Sequence, residues 1–236
     1  MLAQRWNQEG RVIILSETTD EPISMIGRMA GVCYGADTAN EEKNYKRGLS
    51  CIRSNHGRAL EFVQIYLIID HYSARVLREF GRHVGGLPTY LQASTRYIDY
   101  TNFKYITPPS VEKNPEAKEE YEKLMELTSK TAQTLSNLKI PKEDIGMIYP
   151  LAMESKEVYR TNLRSLMDMA KVRKCARAYW EYRDLFKEIE DSLSIYSDQW
   201  NYLINNEHIF KIKCEILNRC EEEFGCGRYP KEEQNA

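Results

Sequence analysis

Leu60–Phe80 reads L-E-F-V-Q-I-Y-L-I-I-D-H-Y-S-A-R-V-L-R-E-F, and its hydrophobic period changes part-way along. Over Leu60–Ile69 the apolar residues alternate, with Val63, Ile65, Leu67 and Ile69 on one face, which predicts a buried strand. From Ser73 the spacing lengthens: Ser73, Val76, Leu77 and Phe80 recur at helical intervals. A strand passes straight into a helix, and the helix delivers Arg82 and His83 at its C-terminal end.

Working outward, Val12–Leu15 reads as a short strand and Ile23–Val32 as a helix. Glu41–Arg53 is helical and stops at Ser54-Asn55-His56-Gly57. Gly85-Gly86 and Pro88 break regular structure. Pro115–Leu138 is a long charged helix whose exposed side reads as a solvated face, and Pro141 and Pro150 bracket a short segment. Two more helices are expected over Thr161–Cys175 and Ala176 to roughly Tyr202. In the second, Ala178, Tyr182, Leu185, Phe186, Ile189, Leu193 and Tyr196 form an apolar stripe. The fold class expected is α+β, with a central antiparallel or mixed sheet flanked by long helices and a helix-rich C-terminal half. No linker divides the chain. We expect one domain over 1–236, with a core at about 12–205 and a cysteine-bearing tail at 206–236.

Composition excludes several classes. The 236 residues are 42% hydrophobic and 29% charged, with a net charge of −2. That balance lacks the basic field of a protein that binds nucleic-acid polymers, so phosphate recognition must be local and favours a small nucleotide. Met1–Gly10 is polar and the apolar run after it is too short for a signal peptide. The longest apolar stretch, Phe62–Ile69, is interrupted by Gln64 and is too short to span a bilayer. With six cysteines and no export signal, reduced thiols and a cytoplasmic location are expected. Cys214, Cys220 and Cys226 lack zinc-site spacing and there is no paired-histidine motif. No metal is expected; a small loop packed by buried thiols is.

Chemistry concentrates in Arg82–Tyr97, R-H-V-G-G-L-P-T-Y-L-Q-A-S-T-R-Y. Guanidinium forks, a Gly-Gly turn and short hydroxyls together suit a phosphate-bearing ligand. Ser94 and Arg96 would present a hydroxyl and a guanidinium from one face of an extended segment. Arg173 follows Asn162 by eleven residues, a rotation of only about 20° on an ideal helix, which would place both on one stripe. His56 lies in a turn and His83 in the glycine-rich run, whereas His71 and His208 read as structural. There is no P-loop, dinucleotide fingerprint or serine nucleophile elbow.

Taken in order, these elements resemble the flavin-dependent thymidylate synthases. Arg82-His83 and Ser94-Thr95-Arg96-Tyr97 match the two ends of the family signature. His56 with Glu61 is similar to its upstream Gly-His and Glu-His element, and Ser73 to the serine that opens the next helix. Asn162-Leu163-Arg164-Ser165-Leu166, Arg173 and Ala178-Tyr179-Trp180-Glu181-Tyr182-Arg183 resemble its downstream runs. The resemblance covers most of residues 20–205. Departures are Val84 for the second arginine of Arg-His-Arg, Gly85-Gly86 as an insertion, Leu91 for Asn, Gln92 for Glu, Glu79 for Gln, Gly146 for a nucleotide-contacting Arg, and Asp168 for Asn.

The resemblance implies reductive methylation of dUMP, with methylenetetrahydrofolate giving the carbon and NADPH reducing bound FAD. No cysteine follows a proline, so the nucleophile of the other thymidylate synthase class is absent. By the same resemblance, Arg173 is catalytic beside the pyrimidine, and His56, Arg82, His83, Asn162 and Asp168 bind FAD. Asp168 sits about 120° from Asn162 on a helix, facing another part of the cofactor or a neighbouring subunit. Glu79, Gln92, Ser94 and Arg96, with Arg173, contact the nucleotide, and the assembly is a homotetramer with shared active sites. Lys142 and Lys156 are candidates to compensate for Gly146. Two alternatives stand beside this expectation: a related flavoenzyme modifying another pyrimidine nucleotide, for example by hydroxymethylation, and a non-catalytic nucleotide-binding protein.

Overall fold

The computed structural model describes residues 11–231 except 84, 86 and 87. Four strands, β1 (Val12–Ile14), β2 (Gln64–Ser73), β3 (Thr89–Gln92) and β4 (Glu154–Asn162), form one antiparallel sheet in the order β1-β2-β4-β3. The helices are α1 (Pro22–Cys33), α2 (Glu41–Arg53), α3 (Gly57–Leu60), α4 (Ala74–Phe80), α5 (Pro109–Glu112), α6 (Pro115–Asn137), α7 (Lys142–Ile145), α8 (Leu163–Arg173), α9 (Trp180–Tyr196), α10 (Asp198–Asn205) and α11 (Lys213–Leu217). The expected α+β class is therefore observed. The chain divides into two compact units. The first takes residues up to 68, then 83–89 and those from 159 on; the second takes 69–82 and 90–158.

In the first unit, α1 and α2 meet through glycine. A Cβ on Gly27 would lie 1.8 Å from the Asn44 carbonyl oxygen, and one on Gly48 would lie 1.9 Å from that of Ile23. Only bare backbone allows so close an approach. Asn44 is buried, its amide donating to the Thr38 carbonyl at 2.8 Å and its side-chain oxygen accepting from Arg47 at 3.0 Å. Glu21 gives α1 no side-chain cap; instead Gln199 of α10 accepts from the Ile23 and Ser24 N–H groups at 2.8 and 3.0 Å. The stripe of α9 buries Tyr182, Leu185, Phe186, Ile189 and Leu193 completely, each contributing about 1.5–3 kcal/mol against exposure.

The second unit is held differently. Along α6 only Met125 and Ala132 are buried, as a solvated helix requires. Tyr121 donates to the Ile106 carbonyl at 3.0 Å and Ser129 to that of Thr101 at 2.6 Å, tying the helix to the loop before it. Tyr100, Phe103 and Tyr149 pack edge to face. Ser73 caps α4, its hydroxyl accepting from the Val76 N–H at 3.2 Å.

Three expectations change. The strand expected from Leu60 begins at Gln64, because the chain first makes the turn of α3. The helix expected from Thr161 begins at Leu163: Thr161 and Asn162 end β4, a strand whose inward row of Ser155, Glu157, Tyr159 and Thr161 is too polar to read as period two. The last long helix is two, α9 and α10, broken at Ser197 in extended conformation, whose hydroxyl accepts from the Trp200 N–H. In the tail Cys220 is buried, Cys214 half-buried and Cys226 exposed, so only one of these thiols is fully packed away. Among the described residues no helix is long and apolar enough to cross a membrane, and no three metal-ligating side chains are grouped to hold an ion.

Candidate functional site

In the first unit α8 ends at Arg173, and the guanidinium there is gripped on two sides. Its Nε donates to Nε2 of His83 at 2.8 Å, and its carbon lies 4.7 Å from the centre of the buried Tyr182 ring. His83 packs edge-on to the same ring, with centroids 6.0 Å apart. Burial, and then the Arg173 charge, holds the His83 pKa below its ordinary value, so the imidazole stays neutral and can accept this bond. Acceptance at Nε2 assigns the ring proton to Nδ1. The result is a cation with a fixed plane resting on an aromatic face.

Upstream, Glu61 and Arg164 pair at 2.6 Å, and Arg58 adds a second contact at 2.9 Å. Hydrogen bonding from Arg164 chiefly holds the Glu61 carboxyl below the usual range. The Arg164 guanidinium also lies against Gly57, 3.0 Å from where a Cβ would stand. His56 is exposed at the entry to α3, its N–H donating to the Cys51 carbonyl at 2.8 Å.

Asn162 does not share a stripe with Arg173. It lies outside the helix in extended conformation and caps α8, its side-chain oxygen accepting from the Ser165 N–H at 2.9 Å. Eleven residues of rise separate it from Arg173 by about 16 Å along the helix axis, so the wheel argument that joined them fails at its first residue. Asp168 is exposed and pairs with Lys171 at 2.6 Å.

The second unit carries the other candidates. Glu79 on α4 is half-buried and lies 3.9 Å from Arg75, and Arg82 is exposed just past the helix end. Gln92 closes β3 and donates to the Ser155 hydroxyl at 3.3 Å. Ser94 and Arg96 sit in a turn and not in the extended segment expected. The Ser94 carbonyl accepts from Tyr97 and Ile98, and its hydroxyl accepts from the Arg96 N–H at 3.2 Å. The turn forms because a short hydroxyl satisfies the backbone locally.

Arg96 pairs through Nε with Glu143 of α7 at 2.9 Å, a partner that no sequence signal pointed to. Lys142 donates to the Tyr97 carbonyl at 2.9 Å, whereas Lys156 is bound to Asp70 at 2.5 Å, so Lys142 is the lysine that reaches the Arg96 turn. Gly146 abuts Thr95: a Cβ there would meet the hydroxyl oxygen at 2.9 Å. The expectations placed on Val84 and Gly86 fall outside the described residues. One further ionisable group stands out on β4. Glu157 is buried with neither carboxyl oxygen hydrogen-bonded, and burial pushes its pKa up to about 8.

Residues 14–194 match the family profile described as Thymidylate synthase complementing protein. The chain is 28% identical to the flavin-dependent thymidylate synthase of Nitratidesulfovibrio vulgaris, over 94% of this chain and 96% of that one. It is 29% identical to the enzyme of the same description from Thermococcus onnurineus, over 75% and 76%. In fold it is similar to the crystal structure of thymidylate synthase X from Helicobacter pylori with FAD and dUMP. The TM-score is 0.66 at 18% identity, covering 86% of this chain and 98% of that one.

Proposed function

The chain belongs to the thymidylate synthase complementing protein family, and from that premise we propose that it converts dUMP to dTMP, with methylenetetrahydrofolate as carbon donor and NADPH as reductant through bound FAD. The observation that carries this reading is the buttressed guanidinium of Arg173, held between neutral His83 and the Tyr182 face.

The donor set fits the groups it would hold. Guanidinium, imidazole and amide groups at Arg82, His83, Asn162 and His56 suit a planar, phosphate-bearing cofactor such as FAD. Bound FAD, once reduced by NADPH, supplies the hydride that turns the transferred carbon into a methyl group. The chain's own residues bind, orient and polarise. Arg173 sits at the uracil and stabilises the negative charge that develops as C5 becomes nucleophilic. His83 takes one guanidinium N–H, so the plane of the cation is set before substrate arrives and little reorganisation remains. Ser94 and Arg96 hold the nucleotide phosphate, and Gln92 and Glu79 contact the base and sugar. Asp168, exposed on α8, faces the cofactor from its own or a neighbouring subunit.

We read residues 1–236 as one such domain, assembled as a homotetramer and working in the cytoplasm. A second reading, a related flavoenzyme acting on another pyrimidine nucleotide, draws support from Gln92, which closes β3 and bonds the Ser155 hydroxyl as an amide where the family resemblance expects a Glu. The deciding experiment is an absorbance spectrum of the purified protein, followed by anaerobic NADPH with and without dUMP, and then tritium release from [5-3H]dUMP. Flavin bleaching that quickens with dUMP, and tritium release dependent on methylenetetrahydrofolate, are expected. Bleaching accelerated instead by dCMP or UMP would move the reading to the second enzyme, and no uptake of FAD would overturn both.

A further inference from the structure

The segment 142–146 touches the turn 95–97 at three successive points within the second unit. Lys142 donates to the Tyr97 carbonyl at 2.9 Å, Glu143 pairs with Arg96 at 2.9 Å, and Gly146 lies against Thr95, where a Cβ would meet the hydroxyl oxygen at 2.9 Å. A chance ion pair between two mobile side chains has one contact. Here the pair is flanked on both sides, by the Lys142 ammonium on the Tyr97 carbonyl and by the Gly146 backbone against the Thr95 side chain, so the carboxylate is delivered to Arg96 by the fold. Pro141 begins this turn and Gly146 ends it, which confines Glu143 to the face that meets the guanidinium.

We propose that Glu143 is a specificity-determining residue: its carboxylate occupies the Arg96 guanidinium in place of a nucleotide 5′-phosphate and must yield before a phosphate is read. The inference rests on the reading above that Arg96 takes the substrate phosphate. The chemistry is an exchange of one oxyanion for another at the same cation. Arg96 donates from Nε to Glu143 in the structure described, and a phosphate monoester dianion presents the same kind of acceptor with a greater charge. The side chains are 64% and 55% exposed, so water screens the pair and the exchange is possible. Exposed pairs of this kind are worth about 0.2–1 kcal/mol, which corresponds to about 1.4- to fivefold in affinity. Even after it yields, the carboxylate stays beside the subsite and repels a dianion, whereas a nucleoside lacking phosphate does not sense it.

The test measures dissociation constants of dUMP and 2′-deoxyuridine by calorimetry on the FAD-loaded enzyme, in wild type, Glu143→Gln, Glu143→Ala and Arg96→Gln. The quantity read is the ratio of the two constants, which isolates the phosphate from any general change in the site. Both Glu143 variants should raise the preference for dUMP by about 1.4- to fivefold, with the deoxyuridine constant unmoved, and Arg96→Gln should collapse it. A preference that falls or stays constant in the Glu143 variants, while Arg96→Gln still collapses it, overturns the role of Glu143 and leaves the Arg96 reading standing. If Arg96→Gln leaves the preference intact, the Arg96 reading fails and the proposal with it. If no variant binds dUMP, both fail; if only the Glu143 variants bind it, the proposal holds in its strongest form.

Discussion

The two units treat their key guanidinium groups in opposite ways. In the first, Arg173 is half-buried, bonded to a neutral acceptor and supported on a buried ring. In the second, Arg96 is exposed and faces a carboxylate. A cation clamped between an imidazole and an aromatic face keeps a fixed plane, and low local dielectric strengthens the field it presents. A cation paired in solvent loses most of that field to its partner and to screening. Preorganisation is therefore built where the chemistry would be, and exchangeability where a charged group would arrive and leave.

Removing the preorganised cation should have the largest effect. Arg173→Ala is expected to lower kcat for methylation by about 10²–10³-fold or more, as losing a transition-state donor does, while the flavin spectrum is retained. Near-normal turnover in a tritium-release assay would erase the contrast between the two units. Next in size is the buried acid of β4. Burial raises the folded-state pKa of Glu157 to about 8, from an ordinary carboxyl value of 4.5. The folded state then holds a proton that the unfolded chain releases. Stability is fully present below pH 4.5 and is lost as pH rises toward 8. Glu157→Gln should abolish that slope and be on the order of 3 kcal/mol more stable relative to wild type at pH 8.5 than at pH 4.5. Denaturant melts at the two pH values check it, and parallel curves would show that Glu157 is charged and solvated.

The smallest effect sharpens the exposed side of the comparison. Gly146→Ala must push the Thr95 side chain aside and should cost about 1–2 kcal/mol. Pairing it with Thr95→Gly should recover most of the loss, and additive losses in thermal unfolding would mean that the two residues do not meet.

Much of the architecture was legible because it is local. The helix Glu41–Arg53 has the limits its composition and stop signal predict, and the apolar stripe of α9 is buried as its spacing requires. Strand β4 was not legible, since Ser155, Glu157 and Thr161 point inward and conceal the alternation. Asn162 was misplaced for a related reason: capping puts a residue off the helix that its neighbours continue. Tyr182 was visible as a member of a core stripe and of a family-like run, and neither showed that its face supports Arg173.

Sequence alone determined the α+β class, the limits of α1, α2 and α6 to within about a residue, and which residues carry cations, hydroxyls and imidazoles in family order. Those properties follow from periodicity and residue chemistry over a few positions. Only the tertiary structure decided the charge state and partners of those groups. His83 reaches Arg173 across 90 positions, Glu143 reaches Arg96 across 47, and Glu157 is stripped of water by packing. Side-chain pairing and desolvation depend on what the fold brings alongside, and no local pattern encodes a neighbour that distant in the chain.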